Sequence, residues 1–358
     1  MVVSAASLQG PRPYQEDRFV VSGGDGGLTK AGVVIVPSAA NCSSGSVPTR
    51  VLLGGEHDPA VVAVFDGHGG AAVSSMANGA LVSLFRAALG AERAAGAVAT
   101  ALASALGSIE AQMTGNAGAA KCGSTAAVVA LGPRYAVAAN LGDSRAVLAR
   151  RSAPRQPLAL TLDDKPDRAD EMQRVRAAGG VVTPESARDC ARVGHASVPF
   201  RLAMSRALGD FSLKLASWVP RPLLLATPTL TSVALRPGDD ELLIVASDGV
   251  WDVLSNEQAC GVARDAIRAR RAAARGEGGE GALQKVRSPA ELLVLVALQR
   301  GSGDNCTAVV VEFDEAGEGG VAREAAEGAG TITVLGGLDP AVWAEEARKM
   351  GSPGSAKL

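Results

Sequence analysis

The chain has 358 residues with 35 Lys and Arg against 37 Asp and Glu, a formal net charge of -2, so it carries no bulk field to gather nucleic acid or an anionic membrane. Five widely spaced cysteines, Cys42, Cys122, Cys190, Cys260 and Cys306, form no CxxC pair, which favours free or buried thiols over a disulfide framework or a zinc site. There is no basic leader followed by an apolar core, and the longest apolar stretches are broken by Pro133, Arg134 or Asp143, so neither a secretory signal nor a membrane span is expected.

Residues 2–8 suit a short edge strand. Pro11 and Pro13 then fix an extended approach that sets Arg12 and the Glu16-Asp17 pair at or just before a second strand at 19–21. Residues 22–55, rich in Gly and Ser around one apolar patch at 33–36, read as an insertion or long hairpin. The apolar run 60–65 ends abruptly in Asp66-Gly67-His68-Gly69-Gly70, a buried strand that delivers a carboxylate and an imidazole to its end. Apolar residues at helical spacing predict helices over 71–89 and 97–113.

Residues 121–131 and 135–150 read as paired buried strands turning at Gly132-Pro133. Gly142-Asp143-Ser144-Arg145 places two charges inside the second run, which a silent core strand would not tolerate cheaply. There follow a strand at 158–164, a helix at 168–178 stopped by Gly179-Gly180, an irregular polar flap at 183–199 and an extended segment at 220–228. Next come a strand at 241–246 running into Ser247-Asp248-Gly249 and a mostly helical stretch at 250–274, with Ser255 and Gln258 in a capping pattern. A buried helix at 289–299 and a strand at 306–313 complete a domain expected over 1–314. The tail, 315–358, is rich in Gly, Ala and Glu, with one helix expected at 340–350.

Asp66, Asp143, Asp248 and Asp304 each stand where an apolar strand meets a Gly-rich turn, and Glu16-Asp17 adds a fifth acidic place beside a strand start. Any one of them alone reads equally as a solvated turn residue. Together, buried carboxylates raise one another's pKa unless cations sit between them. Hard divalent ions with oxygen ligands meet that need, and the lack of His or Cys clusters argues against zinc.

Several motifs in order carry the reading further: Arg12-x-x-x-Glu16-Asp17, Val64-Phe65-Asp66-Gly67-His68-Gly69-Gly70, Gly123-Ser124-Thr125-Ala126 and Asn140-Leu141-Gly142-Asp143-Ser144-Arg145. Ser205-Arg206-Ala207-Leu208-Gly209-Asp210, Ser247-Asp248-Gly249-Val250-Trp251-Asp252 and Asp304-Asn305-Cys306-Thr307 continue the series. In these the chain resembles the PPM/PP2C family of metal-dependent serine/threonine protein phosphatases. The resemblance implies an α+β fold of four layers, α/β/β/α: a central sandwich of two mostly antiparallel sheets flanked by helices. Periodicity alone does not select that sandwich.

It also implies two Mg2+ or Mn2+ ions, with Asp66 bridging both, Glu16 and the Gly67 carbonyl on one, and Asp248 and Asp304 on the other. Asp143 would join Asp248 at a weaker third position, while Asp17 orients water and Asn305 supports the ligands. Arg12 would grip the phosphate with its donor fork and His68 would act as general acid, alongside Asp66, in hydrolysing phosphoserine or phosphothreonine by in-line attack of an activated water. The resemblance implies phosphoprotein substrates; a monomer in the cytoplasm, the nucleus or both is expected, with an organellar setting left open. A catalytically inactive binding relative and a small-molecule phosphohydrolase remain as alternatives. One departure stands out: the family's usual Asp-His-Lys-Pro is here Asp163-Asp164-Lys165-Pro166.

Overall fold

The run Ala60–Phe65 is buried throughout, and its alternation sets the architecture. Side chains of successive strand residues point to opposite faces. Val61, Ala63 and Phe65 pack with Leu81, Phe85, Leu102 and Ile109 of the helices Ala72–Leu89 and Ala95–Met113. Ala60, Val62 and Val64 turn the other way, onto Leu243, Val245, Val309 and Val311 of a second sheet. That sheet's outer residues, among them Ile244 and Val310, are covered by Ala259, Ala263, Leu293 and Val294 from the helices Asn256–Ala274 and Pro289–Gln299. Three apolar seams thus separate four layers, helices, sheet, sheet and helices, the arrangement expected.

In this computed structural model the described residues are 1–23, 58–183, 190–215, 221–276, 288–313 and 332–351, with the backbone alone of Ile35–Val36, Thr49–Arg50 and Ala356–Lys357. One sheet runs in the order Leu158–Ala159, Arg145–Arg150, Asp240–Ala246, Cys306–Glu312, Val2–Leu8, Ile35–Val36, with Thr49–Arg50 also on Val2–Leu8. The other runs Ala356–Lys357, Ile332–Gly336, Thr229–Ala234, Tyr135–Leu141, Ala126–Leu131, Ala60–Phe65, Arg18–Ser22. Pairing is antiparallel apart from the two-residue strands Ile35–Val36 and Ala356–Lys357. A third, three-stranded sheet joins Leu208–Gly209, Gly123–Ser124 and Gly67–His68.

Several expectations change. The run 135–150 is not one strand: Tyr135–Leu141 belongs to one sheet and Arg145–Arg150 to the other, so Gly142-Asp143-Ser144 carries the chain between layers. The positive φ of Gly142, 91°, makes that crossing, and a side chain there would press on Thr125. Val2–Leu8 is not an open edge, since short strands pair with its far side. The strand expected at 158–164 shortens to Leu158–Ala159, and the mostly helical stretch expected over 250–274 divides into a one-turn helix, Asp248–Trp251, and the long helix Asn256–Ala274. Its Ser255 cap and Gln258 form the full capping box.

The flap at 183–199 is more ordered than its polarity suggested. Val181–Thr183 pairs with Arg192–Gly194 over a small core of Val175, Val182, Val193, Leu213 and Leu223. Residues 184–189 of that flap, and nearly all of the 22–55 insertion, lie outside the described residues. In the tail, the expected helix forms at Pro340–Lys349, and Ile332–Gly336 adds a strand beside Thr229–Ala234. Trp343 of that helix is 1% exposed and belongs to the seam between the sheets.

The helix Ala72–Leu89 is long and apolar enough to cross a membrane by length and composition. Its Val73, Ala77, Leu81 and Phe85 are instead buried against the sheet and the neighbouring helix, as in an interior helix. Cys122, Cys190, Cys260 and Cys306 are in no disulfide, and Cys42 lies outside the described residues.

Candidate active site

Antiparallel register gathers the acidic turns at one end of the sandwich. Arg18 pairs with Phe65, Ala126 with Leu141, Arg145 with Ala246, and Leu8 with Cys306, so the segments holding Asp17, Asp66, Asp143, Asp248 and Asp304 leave their strands together. The electrostatics confirm the meeting. Burial, and then the charges of Asp17, Asp248, Asp143 and Asp304, hold the Asp66 carboxyl well above the usual carboxylate range. Burial does the same to Asp248, reinforced by Asp143 and Asp252 and opposed by Lys165. Asp17 is pushed up to about 6 by burial, against hydrogen bonds from Thr307 and Ser247.

Neighbouring polar side chains fix these groups. Thr125 receives the Asp66 N–H at 3.0 Å on its hydroxyl and returns its own N–H to the Asp66 carbonyl at 2.9 Å. The same hydroxyl lies 2.7 Å from Ser144 Oγ, tying the Asp66 turn to the Asp143 turn. Ser247 Oγ donates to Asp17 Oδ2 at 2.9 Å while accepting the Thr307 N–H at 3.0 Å. Asn305 accepts the Glu16 N–H at 2.9 Å and donates to the Gln9 and Tyr14 carbonyls, so it clamps the loop that carries Arg12 and Glu16. Gly67 packs so closely that a Cβ would stand 2.6 Å from the Glu16 carbonyl oxygen and 2.8 Å from Ser74 Oγ.

Basic groups close the rim. Arg12, with about half its side chain exposed, forms an ion pair with Asp304 and also donates to the Gly303 carbonyl at 3.2 Å. Lys165 Nζ lies 2.7 Å from Asp143 Oδ2. His68 Nε2 lies 2.7 Å from Asp210 Oδ2. Burial disfavours the imidazolium, yet Asp210, with Asp143 and Glu16 further off, raises the His68 pKa above its usual value.

The altered Asp164 is fully buried but not isolated. Its Oδ2 accepts the Gly142 N–H at 2.9 Å, and its Oδ1 accepts from Arg168 at 3.0 Å. Arg206 donates to Glu171 at 2.6 Å beside it. Thus Asp164 holds the backbone next to Asp143 through a carboxylate flanked by arginines.

The donor set suits a hard cation. Oδ1 of each of Asp17, Asp143 and Asp248 is buried with no hydrogen-bond partner among the described residues, and an orphaned buried carboxylate oxygen is costly. The matching side chains are all oxygen donors, as Mg2+ or Mn2+ prefers. Among the described residues, however, no group of three His, Cys, Asp or Glu side chains is disposed to hold an ion as it stands. Asp304 and Asp143 are turned to Arg12 and Lys165. A cavity of about 640 Å³ lies to one side, lined by Arg145, Trp251, Asp252, Asn256 and Lys349, and contains none of Glu16, Asp66, Asp248 or Asp304.

Sequence reasoning named every member of the acidic cluster but did not single out Asp210, Thr125 or Lys165. Asp210 closes one of the quoted motifs, and that was its available signal.

A two-sheet sandwich with carboxylates gathered at one end and an arginine and a histidine at their rim defines the architecture of a phosphatase-type fold. The family described as Protein phosphatase 2C matches residues 38–306, more than half of the chain, and the chain belongs to that family. It is 44% identical over 191 residues to a probable protein phosphatase 2C 8 of Oryza sativa subsp. japonica, covering 53% of this chain and 42% of the relative. It is 43% identical over 200 residues to protein phosphatase 2C 77 of Arabidopsis thaliana, covering 53% and 43%. The match spans less than half the length of these curated relatives. The fold is similar to a crystal structure of serine-threonine phosphatase 2C from Toxoplasma gondii, with TM-score 0.65 and 23% identity, covering 87% of this chain and 94% of that one.

Proposed function

We propose that this chain hydrolyses phosphoserine and phosphothreonine esters of proteins with the help of two bound Mg2+ or Mn2+ ions. One observation carries the reading: Asp17, Asp143, Asp248 and Asp304, from separate strand ends, stand within electrostatic reach of Asp66, and Asp17, Asp143 and Asp248 each leave a buried carboxylate oxygen orphaned among the described residues. Glu16, Asp66, the Gly67 carbonyl, Asp248 and Asp304 would hold the ions, with Asp143 at a weaker third position. Bound there, the ions supply neutralising charge and activate the attacking water.

The remaining work belongs to the chain. Arg12, on a loop clamped by Asn305, presents a rigid donor fork to the phosphate oxygens when it leaves Asp304. Asp17, fixed by Ser247, orients the water. His68 keeps a proton ready for the departing serine or threonine oxygen. The expected setting is a monomer acting on phosphoproteins in the cytoplasm or nucleus.

The test is Mn2+-dependent turnover of a phosphothreonine peptide beside a phosphotyrosine peptide and a small phosphate ester, with Asp248→Asn as control. Turnover of the phosphothreonine peptide that disappears in the control supports the proposal. Turnover of the small ester alone points to a metabolite phosphohydrolase, and tight Mn2+ binding without turnover of any substrate points to an inactive relative.

A further inference from the structure

The three-stranded sheet sets three motifs side by side. His68 stands opposite Gly123, and Gly123 opposite Gly209, so His68 and the residue following Gly209 flank Gly123 from its two sides. That residue is Asp210. Its Oδ2 lies 2.7 Å from His68 Nε2, its side chain is fully buried, and His68 keeps 21% of its side chain exposed. Gly123 makes the contact possible, because a Cβ at this position would collide with both Asp210 Oδ2 and His68 Nε2.

The support beneath Asp210 is unusually firm. It is the one non-glycine residue with positive φ among the described residues, at 51°, in the left-handed region that favours glycine. Its N–H donates to the Cys122 carbonyl at 2.9 Å, and its carbonyl accepts the Leu213 N–H at 2.8 Å. Glu110 accepts the adjacent Gly209 N–H at 2.8 Å and the Lys214 ammonium at 2.7 Å. Asp210 Oδ1 has no hydrogen-bond partner among the described residues, so the side chain's hydrogen bonding is committed to His68. The leading charges on Asp66 and Asp248 come from other residues, which sets Asp210 apart from the acidic cluster.

We propose that Asp210 is the positioning residue that aims His68 at the leaving oxygen, an assignment that rests on the phosphatase reading above. By accepting the Nε2–H hydrogen bond, Asp210 fixes the ring plane of His68 and leaves the Nδ1–H of the imidazolium as the donor that faces substrate. In the step it serves, the oxygen of water bonds to phosphorus as the ester P–O bond breaks. The electron pair stays on the serine or threonine oxygen, which takes the Nδ1 proton. Water brings both its hydrogens to the phosphate, and one later returns through solvent to Nδ1 of the imidazole, which kept its Nε2 proton, hydrogen-bonded to Asp210, throughout. Gly123 serves the same end by keeping the space between the two side chains empty.

The test uses the full chain with Mn2+ and compares a phosphothreonine peptide, whose alkoxide needs a proton, with p-nitrophenyl phosphate, whose phenolate leaves without one. Asp210→Asn and Gly123→Ala should each lower kcat on the peptide by about a hundredfold, with KM little changed and a far smaller loss on the nitrophenyl ester. In a His68→Gln background, Asp210→Asn should add nothing on the peptide. Equal losses on the two substrates, no loss on the peptide, or additive losses in the double variant would overturn the assignment. A wild-type protein inactive on both substrates would instead sink the phosphatase reading. Should the variants not fold, nitrogen NMR of the wild-type protein decides, since the chain has only 3 histidines. His68 must show a protonated, strongly hydrogen-bonded Nε2, and an unprotonated Nε2 would overturn the assignment.

Discussion

Lys165 Nζ lies 2.7 Å from Asp143 Oδ2, so the carboxylate that the sequence offers to a third cation already faces a cation of the chain's own. Burial opposes the ammonium charge, but Asp143 and Asp163 outweigh it and raise its pKa above the ordinary lysine value. If a third divalent ion binds as proposed, lysine and that ion would compete for one carboxylate. Lys165→Gln is expected to tighten Mn2+ binding about tenfold and add a weak third event in titration calorimetry. Unchanged affinity and stoichiometry would show that no competition exists.

Burial and then four other carboxylates destabilise the Asp66 charge, a cost that protonation or a bound cation relieves. Asp66→Asn should remove Mn2+-dependent turnover by more than about a hundredfold, the level that loss of a mere supporting partner can reach. In the metal-free protein the same change relieves repulsion, so its Tm should rise above wild type. Adding Mn2+ should raise the Tm of wild type and leave the variant nearly unmoved. Thermal scans with and without the ion check both directions.

The buried pair Asp164 and Glu171 gives opposite pH signatures. Burial pushes Asp164 up from 3.8 to about 6, against Arg206 and Arg168, so the stability it contributes is full below pH 3.8 and is lost as pH rises through about 6. For Glu171 burial also raises the pKa, but Arg206 and Arg174 win and lower it from 4.5 to about 2, so its contribution is present above pH 4.5 and is lost as pH falls through about 2. The Tm advantage of wild type over Asp164→Asn should shrink between pH 3.8 and about 6, while its advantage over Glu171→Gln should grow from about pH 2 to pH 4.5. Parallel melting curves across pH would read the crossing directly.

Trp343 is 1% exposed in the seam between the sheets, although it lies beyond the stretch matched to the family, 38–306. Trp343→Ala should cost about 3–5 kcal/mol in urea unfolding, as for a large side chain removed from a packed core. A loss below about 1 kcal/mol would mean that the C-terminal helix only rests on the surface.

Most of the sandwich was legible because its strands are uniformly apolar and end in acidic turns, as at Ala60–Phe65 and Asp240–Ala246. Thr229–Ala234 escaped notice for the opposite reason. Its inward residues Thr229 and Thr231 are polar, and they bury their hydroxyls by bonding to Arg206 and to the Leu160 carbonyl at 2.6 Å. The acidic cluster could be named from motif order, but the side chains answering it could not. Asp164 reads as the loss of a histidine until Arg168 and Gly142 are seen to meet it. Asp210 meets His68 across 142 residues of chain, through a two-residue strand pairing that no periodicity announces.

The chain passes from one sheet to the other through Gly142-Asp143-Ser144, and Thr125 bolts that passage to the turn bearing Asp66. The two halves of the sandwich are thereby riveted at the end where the carboxylates gather. Sliding one sheet over the other would drag Asp143 out of line with Asp66, and close-packed interiors resist such shear. If the carboxylates hold ions as proposed, damage deep between the layers should be felt as slackened cation affinity before the molecule comes apart.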